Sequence, residues 1–364
     1  MEPLAVFAGT RPEIIKMAPV IRALRKHGMP YVFIHCGQHY DYEMSQKFIE
    51  DLELPPPDYC FKLKARTQGQ QTSQIITKTE QTLIKSRPST VLVEGDTNGV
   101  LGAALASVKL GIPVGHVEAG LRSHDLRMPE EHNRRLTDHI STYLFAPTKT
   151  SERNLKLENV WGKTSITGNT VIDAVFQHMP LALKKSRIME QIRFTNFAVA
   201  TAHRAENVDD VPTLTSFLGA FSDSPLPIVY PMHPRTRKRI QSNPKLKTLA
   251  KSKNVQILPP VGYLDFLALM SKCKMIITDS GGIQEEATAP QIRKPVLVIR
   301  LSTERPEAVE TGFATVTGVE KNSILRSIRQ TLNKDTTTLP PKSPYGDGTA
   351  AEKIIEILKE EIAA

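Results

Sequence analysis

Leu4-Ala5-Val6-Phe7-Ala8-Gly9-Thr10-Arg11-Pro12-Glu13-Ile14-Ile15-Lys16 is the stretch that decides the fold. Leu4 to Ala8 is an apolar run that reads as a strand, and Gly9-Thr10-Arg11 turns it into a helix. Pro12 suits a first helical position, and Gly28 suits a stop after about His27. The pattern then repeats: Tyr31 to His35 is a second strand, and Thr90 to Val93 a buried one. A helix follows from about Thr97 to Leu110, closed by Gly111, then a strand from Ile112 to Val117. Glu130 to Ile140 reads as helix, Tyr143 to Ala146 as strand, and Thr150 to Glu158 as helix. Strands alternating with helices of this length predict a parallel sheet with crossover helices.

The pattern restarts after Thr170 with strands at Phe197–Thr201, Pro227–Tyr230, Val255–Leu258, Met275–Thr278 and Pro295–Ile299. Two αβ units of similar size predict two doubly wound, Rossmann-like domains facing each other across a cleft. The expected division is residues 1–170, residues 171–345, and a final amphipathic helix within 346–364 that packs back on the first domain. Asn333–Asp347, with Pro340-Pro341, reads as a surface connection.

At 364 residues the chain is long enough for two domains, or three. With 40% hydrophobic and 23% charged residues it is an ordinary globular chain, and no run reaches the roughly 18 apolar residues of a membrane span. Met1-Glu2-Pro3 leads straight into a strand rather than into a signal peptide. Cys36, Cys60 and Cys273 are too widely spaced for a disulfide framework or a zinc site, so the expected home is the reducing cytoplasm. The net charge of +9 allows an anionic partner. Nucleic acid, an anionic surface and a phosphorylated small substrate are all compatible with it, but basic residues occur in scattered pairs such as Arg134-Arg135, without a nucleic-acid-binding motif, so the charge reads as a solvated surface rather than a nucleic-acid stripe.

In open αβ sheets ligands bind beyond the carboxyl ends of the strands. Five such ends are polar: Gly9-Thr10-Arg11, Glu94-Gly95-Asp96, Glu118-Ala119-Gly120, Thr201-Ala202-His203-Arg204 and Asp279-Ser280-Gly281-Gly282. Ser280 can cap the helix that follows, and the two glycines let backbone N–H groups approach an anion; an equally good reading is a capped helix with no ligand. There is no Gly-x-x-x-x-Gly-Lys-[Ser/Thr] loop and no Gly-x-Gly-x-x-Gly after a strand, which argues against ATP hydrolysis and a dinucleotide. Asp96, Glu118 and Glu130 are clustered acids suited to proton transfer, and His203 is a candidate proton carrier or diphosphate partner, although a lone histidine is more often structural. His116, Glu118 and Glu131-His132 carry donor atoms that a metal could use, but they have no His-Glu-x-x-His or comparable ligand spacing, so neither metal nor cofactor is expected.

These residues lie in segments that together resemble a known family. The segments are Gly9–Lys16, Glu94–Thr97, His116–Arg122, Pro129-Glu130-Glu131, Thr167–Ala174, Ala202-His203-Arg204, Thr278–Ala287, Thr303–Glu307 and Pro344–Gly348. In this order, over nearly the whole chain, they resemble the non-hydrolysing UDP-N-acetylglucosamine 2-epimerases, relatives of the GT-B glycosyltransferases. The loop Leu126–Pro129 is shorter than in many bacterial members, Ala289–Arg293 is slightly longer, and Val261 stands where some members have glutamine.

The resemblance implies that Asp96, Glu118 and Glu130 are acid–base carboxylates and His203 a catalytic-site histidine. It implies that Arg11, Lys16, Ser280, Gly281, Gly282, Glu286 and Arg305 hold UDP, and that Phe266 lies near the uracil. It also implies a UDP-sugar substrate, a homodimer, a role in polysaccharide biosynthesis, and epimerisation at C2 through a 2-acetamidoglucal. A 2,3-diacetamido or uronic-acid UDP sugar, a glycosyltransferase reaction and a non-catalytic sensor stay open as alternatives.

Overall fold

The computed structural model describes residues 2–37, 42–334 and 338–363. Contacts divide the chain into two units, one formed by Met1–Gln177 with Tyr345–Ala364, the other by His178–Pro344.

The first unit carries a wholly parallel seven-stranded sheet. Its strands are β1 (Leu4–Ala8), β2 (Tyr31–His35), β3 (Tyr59–Cys60), β4 (Thr90–Glu94), β5 (Val114–Val117), β6 (Tyr143–Ala146) and β7 (Lys163–Ile166). They are ordered β3-β2-β1-β4-β5-β6-β7, with Leu4 opposite both Tyr31 and Thr90. The central strands are apolar on both faces because helices cover both sides. Ala5, Phe7, Ile34, Val91, Val93 and Val114 join one core with Val100, Ala103 and Ala104 of the helix Asn98–Lys109. Full burial of a ring such as Phe7 is worth roughly 2–3 kcal/mol.

The second unit repeats the plan with six parallel strands: β8 (Ala198–Thr201), β9 (Ile228–Pro231), β10 (Val255–Leu258), β11 (Met275–Thr278), β12 (Val296–Val298) and β13 (Ala314–Val316). Their order, β10-β9-β8-β11-β12-β13, is the Rossmann winding order. Phe217, Phe221, Tyr230 and Ile277 lie at the centre of its core. Both doubly wound, Rossmann-like sheets expected from the sequence are therefore present.

Local chemistry sets the element ends. Glu13 accepts from the Gly9 N–H (2.5 Å) and the Thr10 hydroxyl (3.0 Å), closing the start of the helix Arg11–Lys26. Strands β5 and β12 begin later than the expected Ile112 and Pro295, at Val114 and Val296, because Pro113 and Pro295 have no N–H for the ladder.

Asn333–Asp347 is not simply a surface connection. Tyr345 is fully buried, its carbonyl accepts the Asn169 N–H at 2.7 Å, and Ser343 pairs with Thr288 at 2.6 Å. Residues 335–337 of that stretch lie outside the described residues. The helix Ala350–Ala363 lies against the helix Arg11–Lys26: Glu352 pairs with Lys26 (2.8 Å) and His27 (2.6 Å). Asp173 accepts the Ala351 and Ala350 N–H groups at 2.8 and 3.2 Å, satisfying donors that a helix start leaves open.

Candidate active site

Strand order reverses between β1 and β4 in the first unit and between β8 and β11 in the second. Loops leaving such switch points are where doubly wound sheets bind ligands. They carry Gly9-Thr10-Arg11 and Glu94-Gly95-Asp96 in one unit, Thr201–Arg204 and Asp279–Gly282 in the other.

In the first unit Lys16 reaches from the helix Arg11–Lys26 to two buried carboxylates. Its Nζ donates to Glu94 Oε1 at 2.9 Å and to Glu118 Oε2 at 2.5 Å. Asn169 Nδ2 donates to the same Glu118 oxygen at 2.9 Å. Burial pushes the Glu94 carboxyl well above its usual range; Lys16 opposes this, while Glu118 and Glu13 add to it. Glu118 follows β5 with φ at 69°, a left-handed conformation uncommon for a side-chain-bearing residue. Two residues on, Gly120 has φ at 83°, and a Cβ there would lie 2.3 Å from the Ser151 carbonyl, so this bend requires glycine.

Asp96 is held by an ion pair with Arg134 Nη2, and its carbonyl accepts from Asn133 Nδ2 at 2.9 Å. Arg134 Nη1 also binds Glu131 at 2.5 Å, and Glu131 in turn accepts the Ser123 N–H and hydroxyl at 2.9 Å each. Burial opposes ionisation of Glu131, but the Ser123 bonds and Arg134 outweigh it and hold its carboxyl below the usual range. The adjacent acids of the helix Pro129–Ile140 thus part company: Glu131 is buried and braces the loop, whereas Glu130 is exposed. Arg11 is exposed, with its guanidinium 5.6 Å from the centre of the Phe48 ring.

His116 is fully buried, with Nδ1 2.7 Å from Asp138 and Nε2 2.8 Å from the Gly95 carbonyl. Nε2 thus braces the loop that carries Asp96, while Nδ1 is anchored on the helix Pro129–Ile140. Among the described residues no group of three or more His, Cys, Asp or Glu is arranged to hold a metal.

In the second unit Asp279 organises the β8 and β11 ends. It accepts the backbone N–H of His203 (3.0 Å) and Arg204 (2.9 Å) and the Asn207 amide (3.1 Å), and pairs with His203 Nδ1 at 3.0 Å. Burial alone would raise the Asp279 carboxyl, but these partners bring it down to about 2. Arg204 continues to Glu304 at 2.8 Å, and Arg300 binds the other Glu304 oxygen at 2.5 Å. Burial is again outweighed, here by Arg305, Arg204 and Arg300, and Glu304 falls to about 2. Arg305 Nε pairs with Glu285 at 2.7 Å.

Ser280 stands at the N-cap of the short helix Gly281–Glu286, but its hydroxyl makes no capping bond there. A Cβ on Gly281 would lie 2.9 Å from Glu304, whereas one on Gly282 would meet nothing within 4 Å. Glu286 is buried on the same helix, and Phe266 is half-buried in the helix Tyr263–Lys272. The unit thus offers backbone N–H groups and fixed guanidinium groups at one switch point, chemistry suited to an anion.

Sequence reasoning singled out the residues at the strand ends but not the ones that hold them. Glu94, Asn169, Glu131 and Arg134 take no site role from the sequence: Glu94 stands within a polar strand end, Asn169 within a family segment, Glu131 beside His132 among donors that lack metal-site spacing, and Arg134 in a basic pair. A signal for Glu94 was present: it is the single charged residue closing the apolar Thr90-Val91-Leu92-Val93.

The family model described as UDP-N-acetylglucosamine 2-epimerase matches residues 22–359. A UDP-N-acetylglucosamine 2-epimerase of Methanocaldococcus jannaschii is 42% identical over 98% of both chains. The crystal structure of the enzyme from that organism, in complex with UDP-GlcNAc and UDP, superposes with a TM-score of 0.89 at 41% identity, covering 98% of this chain and 99% of that one. A UDP-2,3-diacetamido-2,3-dideoxy-D-glucuronate 2-epimerase of Pseudomonas aeruginosa is 38% identical over 96% of this chain and 97% of its own. With a family model spanning almost its whole length and relatives near 40% identity end to end, this chain belongs to the UDP-N-acetylglucosamine 2-epimerase family.

Proposed function

We propose that this protein interconverts UDP-N-acetylglucosamine and UDP-N-acetylmannosamine by inverting C2. One observation carries the proposal: Asp96 and Glu118 leave the neighbouring strands β4 and β5, each held by a buried cation, Arg134 or Lys16. Fixed carboxylates of this kind are what proton transfer at carbon needs.

The C2 hydrogen of such a sugar has no adjacent carbonyl to acidify it. UDP therefore leaves C1 as a carboxylate removes the C2 proton, giving 2-acetamidoglucal. A proton then returns to C2 from the opposite face and UDP adds back to C1. We assign the proton transfers to Asp96, Glu118 and Glu130. The positive φ of Glu118 and the exposure of Glu130 support this, since strained or solvent-facing polar residues are where ligands are met. His203, fixed by Asp279 yet 44% exposed at its side chain, is assigned to the diphosphate. Arg11, Lys16, Ser280, Gly281, Gly282, Glu286 and Arg305 are assigned to UDP, and Phe266 to the uracil. Losing one preorganised donor of this kind costs on the order of 10²–10³ in rate.

Further parts of the reading are a homodimer, a cytoplasmic location and supply of an amino sugar for polysaccharide biosynthesis. Cys36, Cys60 and Cys273, none of them joined in a disulfide, fit a reducing compartment, and the exposed Leu136, Leu157 and Trp161 side chains fit self-association.

The test is incubation with UDP-GlcNAc in heavy water, following C2 by NMR. Deuterium entering C2 while the manno epimer accumulates is the expected result. Exchange confined to a UDP-2,3-diacetamido uronate would move the substrate to that of the Pseudomonas relative. UDP release only with an added acceptor would replace the reading with glycosyl transfer.

A further inference from the structure

We propose that Glu94 is a positioning residue that holds the Lys16 ammonium against Glu118. The inference rests on the reading above that Glu118 moves the C2 proton. Lys16 carries its charge on a flexible four-carbon stem, and each acceptor it meets narrows the positions that stem can take. Glu94 supplies the second acceptor, at 2.9 Å, from the end of a central strand where its side chain is 1% exposed. With Lys16 fixed, Glu118 Oε2 is gripped from two sides, by Lys16 at 2.5 Å and by Asn169 at 2.9 Å, so the carboxylate cannot rotate freely.

The charges facing Glu94 are Lys16 and Glu13 from the helix Arg11–Lys26 and Glu118 from the end of β5. Burial pushes the Glu94 carboxyl well above its usual range, with Lys16 opposing this and Glu118 and Glu13 adding to it. Ionised or not, the carboxyl offers Lys16 an acceptor oxygen, and that is what holding the ammonium against Glu118 requires. Asp96, by contrast, pairs with Arg134, which it shares with Glu131.

Two variants separate this role from a general structural one. Glu94→Gln keeps an acceptor oxygen without charge; Glu94→Leu keeps the volume without the acceptor. We expect Glu94→Leu to lower kcat by roughly 10–100-fold, with KM within about threefold, and Glu94→Gln to recover kcat to within about threefold of wild type. In protein labelled with ¹³C at the glutamate carboxyls, the Glu118 signal, assigned by its loss in Glu118→Gln, should move in Glu94→Leu and return in Glu94→Gln. Wild-type kcat in Glu94→Leu, or a Glu118 signal unmoved by it, overturns the proposal. So does a loss beyond about 30-fold in Glu94→Gln, which would make the carboxylate itself necessary; that variant decides the matter if Glu94→Leu does not fold. An inactive wild type would refute the epimerase reading, and the Glu118 signal would still decide the role of Glu94.

Discussion

Asp279 holds both ends of His203: one carboxylate oxygen lies 3.0 Å from the ring Nδ1, and the other accepts the backbone N–H at 3.0 Å. A histidine on a loop is thereby fixed in position and orientation by one buried acid at the end of the neighbouring strand. The same acid secures Arg204 and, in the short helix Ala205–Val208, Asn207, so three residues after β8 depend on a single ionised group.

That dependence has a sign in acid. Asp279 sits at about 2 in the folded chain against an ordinary 3.8, so its contribution is present above the ordinary value and lost as pH falls through 2. It amounts to roughly 2 kcal/mol. Denaturant unfolding at pH 5 and pH 2.5 should show a larger acid loss for wild type than for Asp279→Asn, which has no carboxylate to protonate. Equal losses would refute the assignment.

Asp96→Asn, Glu118→Gln and Glu130→Gln should each slow C2 exchange by at least ~10²-fold, as loss of a positioned acid–base group does. UDP affinity measured by calorimetry should change by less than about tenfold, because these groups are assigned to the sugar. Near-normal exchange in two of the three would remove the carboxylate mechanism.

The glycines after Ser280 give a sharper contrast. A Cβ on Gly282 meets nothing within 4 Å, so Gly282→Ala should fold with an unchanged or slightly raised melting temperature, alanine being the better helix former. If a diphosphate lies against that backbone, the methyl group blocks it and UDP affinity falls by about tenfold or more. Gly281→Ala, crowding Glu304 at 2.9 Å, should lose stability as well. Unchanged UDP binding in Gly282→Ala would move the diphosphate elsewhere.

Much of this architecture was legible because central strands of a parallel sheet are continuous apolar runs. Leu4–Ala8, Tyr31–His35, Tyr143–Ala146 and Met275–Thr278 fall where the sequence puts them. What escaped were edges. Tyr59–Cys60, Lys163–Ile166 and Ala314–Val316 pair on one side only, are short, and carry half-exposed or polar side chains. The helix Gln68–Ser86 escaped for a related reason: its inward residues are Ile75, Thr79, Thr82 and Leu83, so half of its buried face is threonine and its periodicity is faint. At the site, the strand-end residues were legible from spacing. Which residues pair was not, since Lys16 and Glu94 lie 78 residues apart and meet only once β1 and β4 are side by side.

Asp173 predicts a second pH dependence, of opposite sign. Burial raises its carboxyl to about 6, although the Ala351 and Ala350 N–H groups oppose this. Its contribution is therefore full below about 4 and is lost as pH rises through 6. Going from pH 4.5 to pH 8 should weaken hydrogen-exchange protection at Ala350 and Ala351 in wild type, and by less in Asp173→Asn. The same change in both proteins would show that Asp173 does not govern the docking of that helix.

The helix Ala350–Ala363, clasped to the helix Arg11–Lys26 through Glu352, has a consequence for synthesis on the ribosome. Residues 178–344 form an uninterrupted unit and can close their core as soon as they emerge. The unit begun first is finished last, since its final helix follows all of the other in translation order. Until then Lys26 and His27 lack their acidic partner, and the unit that the ribosome starts first is still incomplete when the other is whole.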